Sequence, residues 1–193
     1  MIKQVHLKNG QIVKIRHVKE SDMDEFWDNF NEVVDEGTYL PVFFPVRSDL
    51  EKKAFYDNIV KNNELCIVAE LTERIGKNSI VGQCEITNLE WDASDHVGNL
   101  GIIVKKGFRN LGLGFHLIDT AILEAKNALN KEKIILSCFS TNKRALHLYA
   151  KMGFKTVGIR KRQFYINSQY YDEVLMELWI DDYLKREKQN RFT

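Results

Sequence analysis

The most informative stretch of this chain is residues 101–114, G-I-I-V-K-K-G-F-R-N-L-G-L-G. An apolar strand leads into a basic turn with glycines at 112 and 114, and the turn opens a long helix. Glycine lets a backbone approach a bulky ligand closely. The unpaired N–H groups of a first helical turn, backed by the positive end of the helix dipole, attract an anion. The segment therefore predicts a strand–turn–helix unit that holds a phosphate.

Spacing argues against two other phosphate-binding motifs in this segment. A P-loop requires a Gly-Lys step followed by Ser or Thr, which the segment lacks. A dinucleotide fingerprint requires a third glycine or alanine, where this chain has Leu117. A strand-to-helix turn without any ligand is the alternative that this segment alone leaves open.

Hydrophobic periodicity on both sides of the segment predicts a mixed α/β fold. Asn9-Gly10 is typical of a type I′ turn between two short strands. Capping residues Ser21 and Ser48 each precede an apolar helical pattern. Further helices are expected from Gly112 and at about 142–151, and the predicted strands are 64–71, 79–89, 96–104, 134–139, 154–165 and 170–180, with turns at Gly76-Lys77-Asn78 and Asn167-Ser168.

The resulting order is β-β-α-α-β-β-β-α-β-α-β-β, which implies a mixed sheet covered by helices on both faces. Neither a linker nor a repeat interrupts it, so we expect residues 1–193 to form a single domain. Within it, residues 1–10 form an N-terminal hairpin strand, and residues 183–193 are a frayed, solvated tail.

Charge and cysteine content exclude several classes of protein. Lys and Arg number 28 against 27 Asp and Glu, a net charge of +1, which argues against a nucleic-acid or polybasic membrane binder. No apolar run reaches 18 residues, so no membrane helix is expected. The three cysteines form no CxxC pair, and no histidine spacing makes a metal site. We expect a soluble, cytoplasmic protein that holds no metal.

Two segments resemble the GNAT-type N-acetyltransferase superfamily. R-N-L-G-L-G (109–114) is similar to its acetyl-CoA signature R/Q-x-x-G-x-G/A, and N-K-R-A-L-H-L-Y-A-K-M-G-F (142–154) is similar to its N-x-x-A-x-x-L-Y-x-x-x-G-F segment. The order of elements from about residue 11 to 180 also matches. The resemblance implies a splayed central sheet and an enzyme that moves acetyl from acetyl-CoA to a primary amine by direct attack in a ternary complex.

The same resemblance implies a set of cofactor-binding residues. Ile102, Ile103 and Val104 would align their backbone with the pantetheine arm of CoA. Asn142 would hydrogen bond to pantetheine or order the adjacent loop, although helix N-capping suits its side chain equally well. Arg109 would hold the turn and add positive potential beside Lys105 and Lys106. The turn residues expected to wrap the pyrophosphate are Arg109, Asn110, Leu111, Gly112, Leu113, Gly114 and Phe115.

Catalytic residues are also implied by the resemblance. Tyr149 is the expected general acid for the departing thiolate, with packing on an inward helical face as the alternative. Glu85 is the expected base, provided that its side of the strand lines the cleft; if that side faces solvent, ordered water would take its place. The backbone N–H of Val104 or a neighbour would stabilise the oxyanion. Cys138 is the one tempting nucleophile, and burial would keep its thiol inert.

The resemblance also implies where the acceptor binds: between the loop that joins the first two helices, residues 39–47, and the last hairpin. Tyr39 and Phe44 could stack on a substrate, or the loop could instead form a hydrophobic plug. Residues 160–162, Arg-Lys-Arg, would favour a carboxylate-bearing acceptor, unless they form a solvated strand face. We expect an amino acid-like small molecule or a protein N-terminus, and a possible homodimer. A catalytically silent acyl-CoA sensor and another nucleotide-binding α/β domain are the alternatives.

Overall fold

The computed structural model describes residues 3–73 and 79–191, with side chains through residue 189. The predicted turn Gly76-Lys77-Asn78 lies outside these residues. The helices of the described part are α1 (Met23–Asp35), α2 (Asp49–Lys61), α3 (Leu113–Leu129), α4 (Lys143–Met152) and α5 (Ile180–Arg191). Its strands are β1 (Lys3–His6), β2 (Ile12–His17), β3 (Leu65–Leu71), β4 (Ile80–Thr87), β5 (Val97–Val104), β6 (Lys133–Phe139), β7 (Lys155–Ile166) and β8 (Gln169–Trp179).

One mixed sheet contains these eight strands in the order β1-β2-β3-β4-β5-β6-β8-β7. The β5–β6 pair is parallel, whereas the other neighbouring pairs are antiparallel. That parallel pairing covers three residues, Val97–Asn99 against residues 133–135. Beyond Asn99, β5 pairs with β4 alone. The sheet therefore splays between β5 and β6, and the predicted α/β fold is confirmed.

Helices cover both faces of the sheet. On one face, Leu117, Ile118 and Ile122 of α3 are fully buried against the strands. On the other, Phe26 and Trp27 of α1 pack with Ile59 of α2 over β3 and β4. Burying such apolar side chains contributes about 1.5–3 kcal/mol each. The two cores therefore hold β3 and β4 between them, and β4 in turn pairs with β5 at the border of the splay.

Two local turn and cap predictions were wrong. Gly10 has a positive φ of 86° whereas Asn9 does not, and the Gly10 N–H donates to the Leu7 carbonyl (2.9 Å). The connection is therefore a longer turn that ends in a left-handed glycine, not a two-residue type I′ turn. Helix α1 begins at Met23 after a short 3₁₀ turn, and Asp22, not Ser21, occupies its N-cap position. The Asp22 carboxylate accepts the Lys19 N–H (2.8 Å) at the start of the 3₁₀ turn.

The C-terminal segment differs from the expected frayed tail. It forms α5, and both Ile180 and Tyr183 are buried. The Tyr183 hydroxyl donates to Oδ1 of Asp119 on α3 at 2.8 Å. Two apolar residues three positions apart therefore anchor an otherwise polar helix to the core. The closing hairpin turns at Asn167 and Ser168 as predicted.

Candidate active site

The main cavity, of about 880 Å³, lies where β6 diverges from β5. Its volume is within the usual range of ligand pockets, about 300–1,000 Å³. The lining combines β5, the turn after it, the end of β6 and one face of α4. A molecule in this cavity would therefore contact the unpaired edge of β5 and the start of α3 together.

The unpaired edge of β5 carries polar backbone groups. The Lys105 N–H donates to the Val81 carbonyl across the β4–β5 pair (3.0 Å), whereas the Val104 carbonyl accepts from Nε of Arg109 (2.8 Å). Alternate residues of a strand direct their N–H and C=O groups to opposite edges. Ile102 and Val104 therefore present these groups to the splay, and Ile103 bonds to β4 instead. Of the three residues predicted to meet the cofactor through their backbone, two face the opening.

The turn between β5 and α3 is shaped by two left-handed residues, Asn110 (φ 65°) and Gly112 (φ 91°). It brings Asn110, Gly112, Gly114 and Phe115 to the main cavity. A Cβ at position 114 would lie 3.1 Å from Cδ2 of Leu148, so glycine there allows α3 to approach α4 closely. The first-turn N–H groups of α3 lie at the cavity mouth, where they suit a phosphate.

Leu111 and Leu113 contribute to the turn differently from the other predicted residues. Leu113 is 1% exposed and Leu111 packs against the same core, and neither side chain lines the cavity. The Leu111 carbonyl accepts the Lys8 N–H of the β1–β2 hairpin (3.2 Å). These two leucines therefore anchor the turn while its glycines face the opening.

Arg109 joins the turn to the end of α1. Its guanidinium pairs with both carboxylate oxygens of Glu36 (2.7 and 2.5 Å) and lies 4.8 Å from the centroid of the Tyr39 ring. This pairing lowers the pKa of Glu36 and raises that of Arg109. Because Glu36 neutralises Arg109 and Glu32 pairs with Lys105 (2.7 Å), the predicted positive potential of the turn is largely compensated.

Other cations line the main cavity, and the sequence analysis missed them. Lys8 reaches it from the β1–β2 hairpin, and Arg144 and Lys151 reach it from α4. Helical spacing could have placed Arg144 and Lys151 near Asn142, but no local signal marks Lys8. Asn142 also lines the cavity while its Oδ1 accepts the Ala145 N–H (3.2 Å), so the helix-capping alternative is realised.

Tyr149 lies on the inner face of α4 at the floor of the main cavity. Its side chain is 6% exposed and packs against Phe154, with ring centroids 5.8 Å apart. Its hydroxyl makes no hydrogen bond to any residue that the structure describes. Burial raises the pKa of Tyr149 well above its ordinary value, so the phenol keeps its proton at neutral pH. The site thus contains a protonated, unpartnered donor beside the splay.

Glu85 faces a second cavity of about 120 Å³, called the small cavity below. Burial, with a contribution from the nearby Glu64 carboxylate, raises the pKa of Glu85 to about 7. A proton acceptor of that strength is well matched to neutral pH. The polar side of β4 therefore lines a cavity and not bulk solvent. The small cavity is lined by Phe26, Trp27, Phe30, Leu40, Phe55, Cys66, Gln83, Cys84, Glu85, Gly101, Ile102 and Ile103.

The loop after α1 is only partly arranged as predicted. Tyr39 lines the main cavity with Leu40 and Pro41. Phe44 is 82% exposed and lines neither cavity, so the expectation that it encloses a substrate is not met. Phe43, 64% exposed, does not plug the sheet either. The two prolines that flank these rings are consistent with an extended loop that leads them away from the core.

The basic cluster at residues 160–162 is largely occupied by contacts within its own hairpin. Arg160 pairs with Glu173 (2.9 Å), and Lys161 pairs with Asp172 (2.9 Å). Arg162 stacks over the Tyr170 ring at 4.0 Å. Two of the three charges are therefore already paired, and a carboxylate-bearing acceptor for this cluster stays a prediction.

The remaining candidates add no further reactive centre. Cys138 lines the main cavity, where burial raises its pKa to about 11 and keeps it a thiol near neutral pH. Within residues 3–73 and 79–191, no three His, Cys, Asp or Glu side chains are grouped to hold a metal ion. No helix in those ranges is long and apolar enough to cross a membrane.

Comparisons with known sequences find relatives of this chain. The model of the acetyltransferase (GNAT) family matches residues 26–154. The N-alpha-acetyltransferase of Sulfurisphaera tokodaii is 26% identical over 167 residues, covering 81% of this chain and 89% of that enzyme. The spermidine N(1)-acetyltransferase of Escherichia coli is 30% identical over 87 residues, which cover 45% of this chain and 47% of that enzyme. The chain thus spans about half of the spermidine enzyme.

The fold is shared with solved structures. The structure of an acetyltransferase from Salmonella typhimurium, solved with its cofactor acetyl-CoA, matches this chain with a TM-score of 0.79 and 18% identity. The match covers 88% of this chain and 95% of that one. The likeness therefore extends over the splayed sheet and the helices around it.

Proposed function

The chain belongs to the GNAT acetyltransferase family, and from that premise we propose that it transfers acetyl from acetyl-CoA to a primary amine. The observation that carries this proposal is the splay itself. The polar edge of β5 stands open at Ile102 and Val104, and a glycine turn at the start of α3 closes one end of the opening. An elongated molecule with a phosphate at one end and a thioester further along suits both features.

The residues present fit acetyl-CoA. The first-turn N–H groups of α3 and the cations Lys8 and Arg144 would hold its phosphates. The backbone of Ile102 and Val104 would hold the pantetheine arm, with Asn142 at the far wall. When bound, acetyl-CoA supplies a thioester-activated acetyl group.

Three groups of the chain are suited to assist the transfer. Glu85 would accept the proton that the acceptor ammonium must lose, and its pKa of about 7 suits that task. The Val104 N–H, which faces the splay, would donate to the carbonyl oxygen as negative charge develops there. Tyr149, protonated at neutral pH, would donate its proton to the departing sulfur. In balance, the amide N–C bond forms as the thioester C–S bond breaks. The ammonium loses two protons, one to Glu85 and one that restores Tyr149 after Tyr149 has protonated the CoA sulfur.

Release of CoA thiol from acetyl-CoA, measured across a panel of amines, tests the proposal. We expect amine-dependent thiol release with an N-acetylated product detected by mass spectrometry. Tight binding of CoA without turnover on any amine would instead support the silent acyl-CoA sensor. Binding of ATP or NAD with no affinity for CoA would contradict both.

A cytoplasmic location and a homodimer remain predictions. Cys66, Cys84 and Cys138 are free thiols, which is consistent with a reducing compartment. Light scattering coupled to size-exclusion chromatography tests the dimer.

A further inference from the structure

The small cavity lies directly beside the proposed acetyl site. It shares Gly101, Ile102 and Ile103 with the main cavity, so β5 forms a wall of both. Its other walls come from α1, α2, β3, β4 and Leu40 of the loop after α1. A group bound in the small cavity would therefore contact the strand that borders the splay.

Four aromatic rings, Phe26, Trp27, Phe30 and Phe55, form one side of the small cavity. Trp27 lies 5.1 Å from Phe30 and 5.0 Å from Phe55 between ring centroids, and Phe26 lies 5.2 Å from Phe55. These contacts are within the range of edge-to-face and offset aromatic pairs. Because each ring is held by another, the wall is formed before any ligand arrives. Such a surface favours an apolar group.

The volume limits what the small cavity can hold. An engineered apolar cavity of about 150 Å³ accepts benzene, and the small cavity measures about 120 Å³. It is therefore suited to one amino-acid side chain, not to a long flexible chain.

One charged group faces the small cavity among the described residues, and it is Glu85. Gln83 is already bonded, since its Oε1 accepts from Nδ2 of Asn29 (3.0 Å). The Glu85 carboxylate accepts no hydrogen bond from the part of the chain that the structure describes. A ligand can therefore supply the missing hydrogen-bond donor, and an ammonium group held beside the apolar wall would donate to this carboxylate.

Charge argues against a polyamine at this site. A second ammonium requires a second carboxylate, and Glu187 is the other carboxylate on the described walls of the two cavities. It lies on α5 and lines the main cavity, as do the cations Lys8, Arg144 and Lys151. Glu64, close to Glu85, accepts the Asn88 N–H (2.9 Å) and does not line the small cavity.

We infer that the small cavity receives the apolar side chain of an α-amine acceptor, whose amine faces Glu85. This inference rests on the proposed function and narrows its substrate class. The acceptor is an amino acid, or the first residue of a peptide, with an apolar side chain no larger than about that of phenylalanine. Polyamines and lysine side chains are poor acceptors.

The test compares kcat/KM for L-leucine, L-methionine, glycine, the dipeptides Leu-Gly and Gly-Gly, spermidine and Nα-acetyl-lysine. We expect kcat/KM for leucine, methionine and Leu-Gly to be at least about tenfold higher than for glycine and Gly-Gly, since burial of an apolar group typically contributes that much discrimination between substrates. A higher kcat/KM for Leu-Gly than for free leucine identifies a peptide N-terminus as the acceptor, and the reverse identifies a free amino acid. Both results support the α-amine class.

Variants of the wall make the test specific. Phe55→Ala opens the wall and should reduce the leucine-to-glycine ratio of kcat/KM at least fivefold, chiefly through KM, while glycine turnover persists. Val60→Ala, at an exposed position of the same helix that lines neither cavity, is the matched control and should leave the ratio unchanged. Phe30→Leu serves the same purpose if Phe55→Ala is poorly folded.

The outcomes separate this inference from the proposed function. If spermidine or Nα-acetyl-lysine is the better acceptor, or if leucine and glycine are equal, the inference is overturned while the acetyltransferase activity stands. If acetyl-CoA binds but no amine releases thiol, the proposed function fails, and the inference with it.

Discussion

Gly101 lies directly opposite Glu85 in the β4–β5 ladder, and the Glu85 carboxylate occupies the space beside it. A Cβ at position 101 would lie 2.6 Å from Oε1 of Glu85. The absence of a side chain at Gly101 therefore sets the direction of the carboxylate. This relationship lies outside the R-N-L-G-L-G turn and depends on the register of two strands.

Gly101→Ala should displace the Glu85 carboxylate. Because a displacement of about 1 Å in an active site can cost up to about 100-fold in rate, we expect kcat/KM for the amine to fall by about 10- to 100-fold, with little change in KM for acetyl-CoA. Gly107→Ala is the control, since a Cβ there meets nothing within 4 Å. The effect should be non-additive with Glu85→Gln; independent effects would show that Gly101 does not act through Glu85.

Because of Glu85, kcat/KM should rise with pH while the free energy of unfolding falls. With its pKa raised to about 7, the basic carboxylate form increases as pH rises, so kcat/KM should increase up to about pH 7 and then level off. The free energy of unfolding should decrease between about pH 4.5 and 7, because the unfolded carboxyl ionises at lower pH than the folded one.

Glu85→Gln should remove both trends. Urea denaturation and initial-rate measurements across this pH range would reveal them. Retention of the rising limb of kcat/KM in Glu85→Gln would assign the base to another group or to water.

Tyr149→Phe should lower kcat by about 100-fold, as expected for loss of a general acid. KM for acetyl-CoA and the stability should change little, because the hydroxyl has no hydrogen-bond partner among the described residues. Stopped-flow or steady-state thiol release measures kcat, and calorimetry measures CoA binding. An unchanged kcat across the pH range would leave Tyr149 with a packing role only.

Gly112→Ala should weaken acetyl-CoA binding. The φ of 91° at Gly112 lies in the left-handed region, where a side chain costs about 1–2 kcal/mol. If relaxation of the turn relieves that strain, the first-turn N–H groups of α3 move, and we expect the Kd for CoA to rise roughly tenfold. Isothermal titration calorimetry measures it, with Gly107→Ala again as the comparison. An unchanged Kd together with an unchanged melting temperature would contradict this account.

Tyr183→Phe should destabilise the protein by about 1–3 kcal/mol, because it removes a buried hydrogen bond to the Asp119 carboxylate. Tyr165→Phe, at a 57% exposed position, is the matched control and should have little effect. Chemical denaturation of the two variants provides the comparison. Equal stability of Tyr183→Phe and the wild type would show that the Tyr183 hydroxyl does not help to hold α5.

Several elements could be predicted because their signals are local. The apolar periodicity of α3 and the glycines of its first turn lie within one segment, and so do the helical face and closing glycine of α4. The Asn167-Ser168 turn was likewise predictable, since both residues adopt positive φ there. Short-range sterics and hydrophobic spacing determine such features.

Other features that the sequence did not indicate involve residues whose partners are not sequence neighbours. The cation of Arg109 is compensated by Glu36, 73 positions away, and the Arg160 and Lys161 charges are compensated across the closing hairpin. The polar sequence of α5 gave no sign that Tyr183 meets Asp119, 64 positions away. Composition cannot report such pairings because it records charges and not their distances.

Residues that lie close together along the chain were enough to predict the order of elements up to β8, the glycine turn that opens α3 and the family. The tertiary structure decided which groups face the splay. Strand register sets Glu85 over Gly101, and the divergence of β6 after three paired residues exposes the backbone of Ile102 and Val104. Tertiary packing also places rings from α1 and α2 around the small cavity, because only packing in three dimensions brings separate helices onto the same part of the sheet.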